Sequence, residues 1–76
     1  MKITEDQIIT LIEDALGIQK GLLTINSDNT SVSEWDSLGQ FAVMSALDNA
    51  FKDITEHKPE LAEAVSIKKI LEIINN

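Results

Sequence analysis

An all-α fold, a four-helix bundle, is what this sequence predicts, and three features predict it. Apolar residues recur at helical spacing near both ends of the chain. Residue types that cap helices stand directly before those stretches, and the turn pairs that close β-hairpins are missing. With 76 residues and 43% hydrophobic content, the chain fits one small globular domain over residues 1–76, without repeats or low-complexity runs.

The first helix opens at Ile3 and Thr4. Thr4 is its cap, Gln7 completes a capping box, and Ile3 is placed to staple onto Ile8. Ile8, Leu11, Ile12, Ala15 and Leu16 then make one apolar stripe. Glu5, Asp6, Glu13 and Asp14 fall off that stripe and read as a solvated face, as do Glu60 and Glu63 further on. Gly17 suits the left-handed residue that ends such a helix.

From Ile18 to Trp35 the periodicity lapses, and Asn26-Ser27-Asp28-Asn29-Thr30-Ser31 is a run of turn formers. A loop this long in a small domain must be functional or pinned by its own side chains. Ile18, Leu22, Leu23, Ile25, Val32 and Trp35 are the candidates for pinning it. Trp35 is expected to be an anchor and not a stacking platform for a ligand.

A second helix starts at Asp36, whose carboxylate can accept from first-turn amides, and runs to about Phe51. Residues 52–58 read as a polar connection, Pro59 as the first residue of a short third helix reaching about Val65, and Ser66 as the cap of a last helix. Ile67, Ile70, Leu71 and Ile74 form the stripe of that last helix.

Charge narrows the functional classes. There are 13 acidic residues against 6 basic ones, a formal net charge of −7, and no arginine. Nucleic-acid binding rests on cationic side chains that displace counterions, so it is not expected here. The expected partners are proteins with basic docking surfaces, which this field would attract. Cysteine is absent, so any thiol chemistry must be imported. No apolar stretch approaches the length of a signal peptide or membrane span, and a cytoplasmic monomer without membrane contact is expected.

The candidate site is the head of the second helix. A helix N-terminus points unpaired amides outward and favours negative charge, so a phosphate on a first-turn serine is electrostatically accommodated there. Ser37 occupies that position, directly after the capping Asp36. At helical spacing Val43, Leu47, Ala50 and Phe51 share a core face, whereas Leu38, Phe41, Ser45 and Asp48 lie nearly opposite. Leu38 and Phe41 would then be apolar and exposed beside Ser37, the mark of a contact surface; the competing reading tucks Phe41 under the long loop.

Trp35-Asp36-Ser37-Leu38-Gly39 at the head of a helix resembles the attachment motif of acyl and peptidyl carrier proteins. The resemblance extends over the chain: a first helix, a long loop carrying Leu22 and Leu23, the Asp-Ser-Leu helix, a short third helix and the closing Ser66-Ile67-Lys68-Lys69-Ile70-Leu71 segment. It implies an acyl-carrier-like bundle with a 4'-phosphopantetheine arm on Ser37, between Asp36 and Leu38, installed from coenzyme A by a phosphopantetheinyl transferase. Acyl groups would ride as thioesters on the arm's sulfur, with the chain itself not an enzyme, and acyl-activating or acyl-transferring enzymes would dock on Leu38, Phe41, Ser45 and Asp48. It also implies an aliphatic interior able to shelter a short acyl chain. The alternative is a non-covalent helical adaptor that binds proteins through the Leu38/Phe41 face.

The chain departs from the fatty-acid carriers where Gly39, Gln40 and Asn49 replace frequent acids, leaving Asp48 as the one charge within the helix. That favours a dedicated carrier for a specialised pathway. Gly39 costs about 1 kcal/mol of helix propensity against alanine. Close approach of the modifying enzyme or arm, and neutral substitution at a helix end, explain it equally well at this level. Asn26 to Thr30 has the beginning of a calcium loop, but Ser31 and Ser37 replace its required glycine and glutamate, so no metal site is expected. His57 is the lone histidine and is expected at the surface, without a second imidazole to build a catalytic cluster.

Overall fold

The computed structural model describes residues 2–76. Four α-helices, α1 (Glu5–Leu16), α2 (Ser37–Ala50), α3 (Ile54–His57) and α4 (Ile67–Ile74), are joined by a 3₁₀ helix at Pro59–Glu63, and there is no strand among the described residues. The fold is therefore all-α, as the patterning predicts. Helix α1 packs on α2 and α4, while α3 and the 3₁₀ helix close the other side of α2.

The three long helices begin where their caps predict. The Thr4 hydroxyl accepts from Gln7 N (3.2 Å) and the Gln7 side chain accepts from Thr4 N (2.8 Å), the reciprocal pair of a capping box. Gly17 ends α1 in the left-handed region at φ 68°. Ser66 caps α4 by accepting from Lys69 N at 3.1 Å. Where the long helices meet the core is aliphatic: Ile8 and Ile12 of α1, Val43 and Leu47 of α2 and Ile67 and Ile70 of α4 are all fully buried. Ile73 joins them although the last stripe as read omits it.

Two expectations about the third element need correction. Residues 52–58 are not plain connection, because Ile54–His57 forms the helical turn α3. Its signal is not local: the Asp48 carboxylate, from the end of α2, accepts from Thr55 N and from the Thr55 hydroxyl, both at 2.9 Å. The helix begun by Pro59 is 3₁₀ and stops at Glu63, short of Val65. Ala64 turns to extended backbone, and the Val65 carbonyl accepts from Asn29 N at 2.9 Å. That bond, with an isolated bridge between Asp28 and Ser66, draws the chain out of helix and fastens the long loop to the start of α4.

The loop is pinned by Leu23, Val32 and Trp35, all buried, with Ile18 and Ile25 half-buried. Leu22 does not help; it is 56% exposed. Glu13 is the largest correction. Expected on a solvated face, it is 2% exposed, and its Oε2 accepts from Gly21 N (2.9 Å) and Leu23 N (3.1 Å). A carboxylate is buried because it supplies partners for loop amides that would otherwise lose water unpaired.

The turn-forming run is organised by Asp28, whose carboxylate accepts from the Thr30 hydroxyl (2.6 Å), Thr30 N (2.9 Å) and Ser31 N (3.1 Å). The Thr30 side-chain bond foremost, then its amide, holds the Asp28 carboxyl below the usual aspartate range. A depressed native value means stabilisation that is present above the ordinary aspartate range and lost as pH falls through the native value. The urea midpoint of Asp28→Asn should therefore lie below wild type at neutral pH and converge on it in acid; a gap independent of pH contradicts this role.

Candidate functional site

Asp36 has extended backbone at φ −93° and ψ −163°, and its Oδ1 accepts from Gly39 N at 2.9 Å. The Asp36 carbonyl meanwhile accepts from Gln40 N at 2.8 Å. Asp36 is thus the cap, and Ser37 is the first helical residue, exposed to solvent. The distinction matters chemically. A serine at a helix start commonly spends its hydroxyl on capping, but here the aspartate does that work and the Ser37 oxygen is left for other chemistry. The amides ahead of Gly39 belong to the set with no intrahelical acceptor, and they make this end of α2 a favourable place for an anion.

Two open grooves flank Ser37. One runs past Asn29, Trp35, Asp36, Gln40 and Val65; the other lies between α2 and the α3 side, past Phe41, Met44, Ser45, Asp48 and Ala62. The carboxylates lining them belong to Asp36 and Asp48, and both are engaged, one by Gly39 N and the other by Thr55. Neither makes a hydrogen bond to Ser37, and the lone histidine, His57, is exposed on α3. The arrangement presents a solvent-exposed hydroxyl at the head of α2.

Leu38 and Phe41 are 82% and 74% exposed, so Phe41 does not tuck under the loop. Ser45 is exposed on the same helix, whereas Asp48 is half-buried by its bonds to Thr55. On the core face Val43 and Leu47 are fully buried and Phe51 is half-buried, but Ala50 is exposed. It lines an open groove between α1 and α2, with Asp6, Gln7, Thr10, Leu11 and Asp14 on the α1 side and Phe51 beside it.

The residues next to Ser37 that seemed to be missing acids have structural tasks. Trp35 is 2% exposed, and its indole N–H donates to Gln40 Oε1 at 2.7 Å. The Gln40 amide donates in turn to the carbonyls of Ala62 (3.2 Å) and Ala64 (3.0 Å) and reaches toward that of Leu61. One side chain thereby joins the end of the loop, the first turn of α2 and the 3₁₀ helix. No sequence signal marks this clamp, since it depends on chain segments more than twenty residues away.

Gly39 is buried, and neither of its earlier explanations is needed. A Cβ built there would overlap the Glu34 carbonyl oxygen and press on a Leu16 methyl at 3.0 Å. Glycine lets the loop backbone lie directly on the first turn of α2, and that contact positions Trp35, Asp36 and Ser37. Gly39→Ala gains about 1 kcal/mol of helix propensity, but it must displace rigid backbone at a typical overpacking cost of about 1–3 kcal/mol. The overlap points to the upper end of that range, so a net loss of about 2 kcal/mol is expected by urea denaturation; an unchanged or raised stability contradicts the packing argument.

No family model, curated protein or solved structure matches the chain.

Proposed function

We propose that this chain is an acyl carrier protein with an acyl-carrier-like bundle, carrying acyl intermediates as thioesters on a phosphopantetheine arm attached to Ser37. The observation that carries the reading is the division of labour at the head of α2: Asp36 caps, and Ser37 stands exposed in the first turn. A residue that another enzyme must esterify needs access more than reactivity.

The surroundings fit a phosphodiester at this position. The Ser37 oxygen would become one of the phosphate's ester oxygens, next to the positive end of α2 and its unpaired first amides. Asp36 keeps that turn rigid by holding Gly39 N, and both flanking grooves are open, so a bulky chain can leave the surface in either direction. When attached, the arm would supply the thiol that a chain without cysteine lacks. Ser37, Asp36 and Leu38 form the attachment turn, and Leu38, Phe41 and Ser45 offer a landing face for a phosphopantetheinyl transferase and for acyl-activating or acyl-transferring enzymes.

Departures from the acidic pattern on α2 support a dedicated carrier for a specialised pathway. A cytoplasmic, monomeric protein is the setting this reading expects; no helix among the described residues is long and apolar enough to cross a membrane. The exposed Leu38 and Phe41 also suit a non-covalent adaptor, which has no use for Ser37.

Incubation with coenzyme A and a broad-range phosphopantetheinyl transferase separates the two. The carrier reading expects an adduct of one phosphopantetheine by intact mass, lost in Ser37→Ala. The absence of an adduct, or its persistence in that variant, refutes the reading and leaves the adaptor.

A further inference from the structure

The apolar stripes of α1 and α2 run further than the contact between the two helices. Helical spacing puts Leu11 on the stripe of α1 and puts Ala50 and Phe51 on the core face of α2, yet Leu11 and Phe51 are only half-buried and Ala50 is exposed. All three line one open groove between the helices. Its α1 rim is acidic. Asp6, Thr10 and Asp14 follow one another at four-residue steps, so the two carboxylates stand about 12 Å apart along the helix at 1.5 Å per residue. Both residues are exposed, and no lysine lines the groove. Lys52 follows Phe51 in the chain but is not part of the lining. Asp6 forms no ion pair among the described residues, and Asp14 pairs with Lys20 at 3.1 Å across side chains that are both well exposed. An exposed pair of that kind is weak enough for an incoming cation to displace.

We infer that this groove is a docking surface separate from the face beside Ser37, and that its occupant is a helix of a partner protein bearing an apolar side chain with a lysine or arginine one turn to either side. The apolar side chain would settle on Leu11, Ala50 and Phe51. The two cations, eight residues apart on the partner, would also be about 12 Å apart and so match Asp6 and Asp14. Charge selects this occupant over others. A second copy of the chain would bring a further net charge of −7 against the same rim, which opposes pairing. An uncharged apolar segment would take water from the two carboxylates and give them nothing in return.

Ala50 closes the end of α2 opposite Ser37, about 20 Å away along the helix. A partner seated there leaves both grooves that flank Ser37 open, so the chain could be held by one protein while another works at the serine. The inference does not depend on what Ser37 carries: a failure of modification at Ser37 leaves it standing, and its own failure leaves the carrier reading standing.

The test is an amide NMR titration of the full chain, at physiological salt so that long-range attraction is screened. The probe is a synthetic peptide of about 20 residues in an alanine-rich helical host, with leucine at its centre and a lysine four residues to either side. Saturable shifts centred on Thr10, Leu11, Ala50 and Phe51 are expected. Affinity should fall about fivefold or more when the peptide's lysines become glutamates or its leucine becomes alanine. It should fall as far in Ala50→Arg, which puts a cation into the groove, and about threefold in Asp14→Asn. The peptide changes leave the protein intact, so the result does not hang on either variant folding.

The inference is overturned by shifts that do not saturate, by shifts centred on Leu38 and Phe41, or by an alanine-centred peptide that binds as well as the leucine one. It is overturned equally if the groove residues shift with protein concentration alone and sedimentation shows a dimer, since the occupant is then a second copy.

Discussion

Replacing Glu13 with alanine should cost about 2–3 kcal/mol, because the buried amide of Leu23 and the part-buried amide of Gly21 lose their acceptor. The stability of a 76-residue domain is expected to be about 4–11 kcal/mol at ordinary values per residue, so this one change removes a large share of it. The effect should be concentrated in the loop. Glu13 is the tie between α1 and the chain segment that carries Leu23 into the core, and its loss frees that segment before the helices part. Trp35, the single tryptophan, is buried at the far end of the loop and reports the transition by fluorescence. Glu13→Gln retains an oxygen acceptor and should lose less than the alanine variant. Equal losses in both, or a loss below about 1 kcal/mol in Glu13→Ala, would contradict the tie.

The second large effect is expected at Gln40. The side chain must accept at one atom, from the Trp35 indole, and donate at the other, to the carbonyls of Ala62 and Ala64. The amide does both without charge. Gln40→Glu keeps an acceptor for the Trp35 bond, but it turns a second carboxylate oxygen toward carbonyl oxygens. A loss of about 2 kcal/mol is expected at neutral pH from the missing donors and the charge left against acceptors. Protonation of the introduced carboxyl supplies a donor, so the deficit should narrow on acidification. A variant within about 0.5 kcal/mol of wild type at neutral pH would show that the clamp is dispensable; an acid-independent deficit would point to a different cause.

These two residues also mark what a linear reading of the chain reaches. Thr4 with Gln7, Gly17, Asp36 and Ser66 announce their helix ends correctly because capping is a contact between residues three or four apart, written in the local sequence. The exposure of Leu38 and Phe41 beside Ser37 is legible for the same reason, since one helical period decides it. Glu13, Gln40 and Gly39 are not legible in that way. Helical spacing places Glu13 off the apolar stripe, and only the returning loop covers it. Gln40 and Gly39 read as vacated acid positions until the 3₁₀ helix and the Glu34 backbone are seen to rest on them. Helix α3 escapes for a related reason, because its amide at Thr55 is held by an aspartate from the preceding helix.

The consequence for the site is that the neutral residues Gly39 and Gln40 beside Ser37 serve the fold. Gly39 and Gln40 fix the loop onto the first turn of α2, and Asp36 caps the same turn. Ser37 is thereby held on a rigid corner while its own side chain stays unencumbered. Such a corner suits a residue that must be found by one enzyme and then swing a tethered cargo between others.

Whether a prosthetic chain is tethered there is answered most directly by tandem mass spectrometry of the peptide containing Ser37, taken from protein purified out of its native host. The carrier account predicts a phosphopantetheine ester localised to the Ser37 oxygen in a substantial fraction of molecules. A peptide recovered entirely bare at that serine, from cells in which the cognate transferase is active, would contradict it.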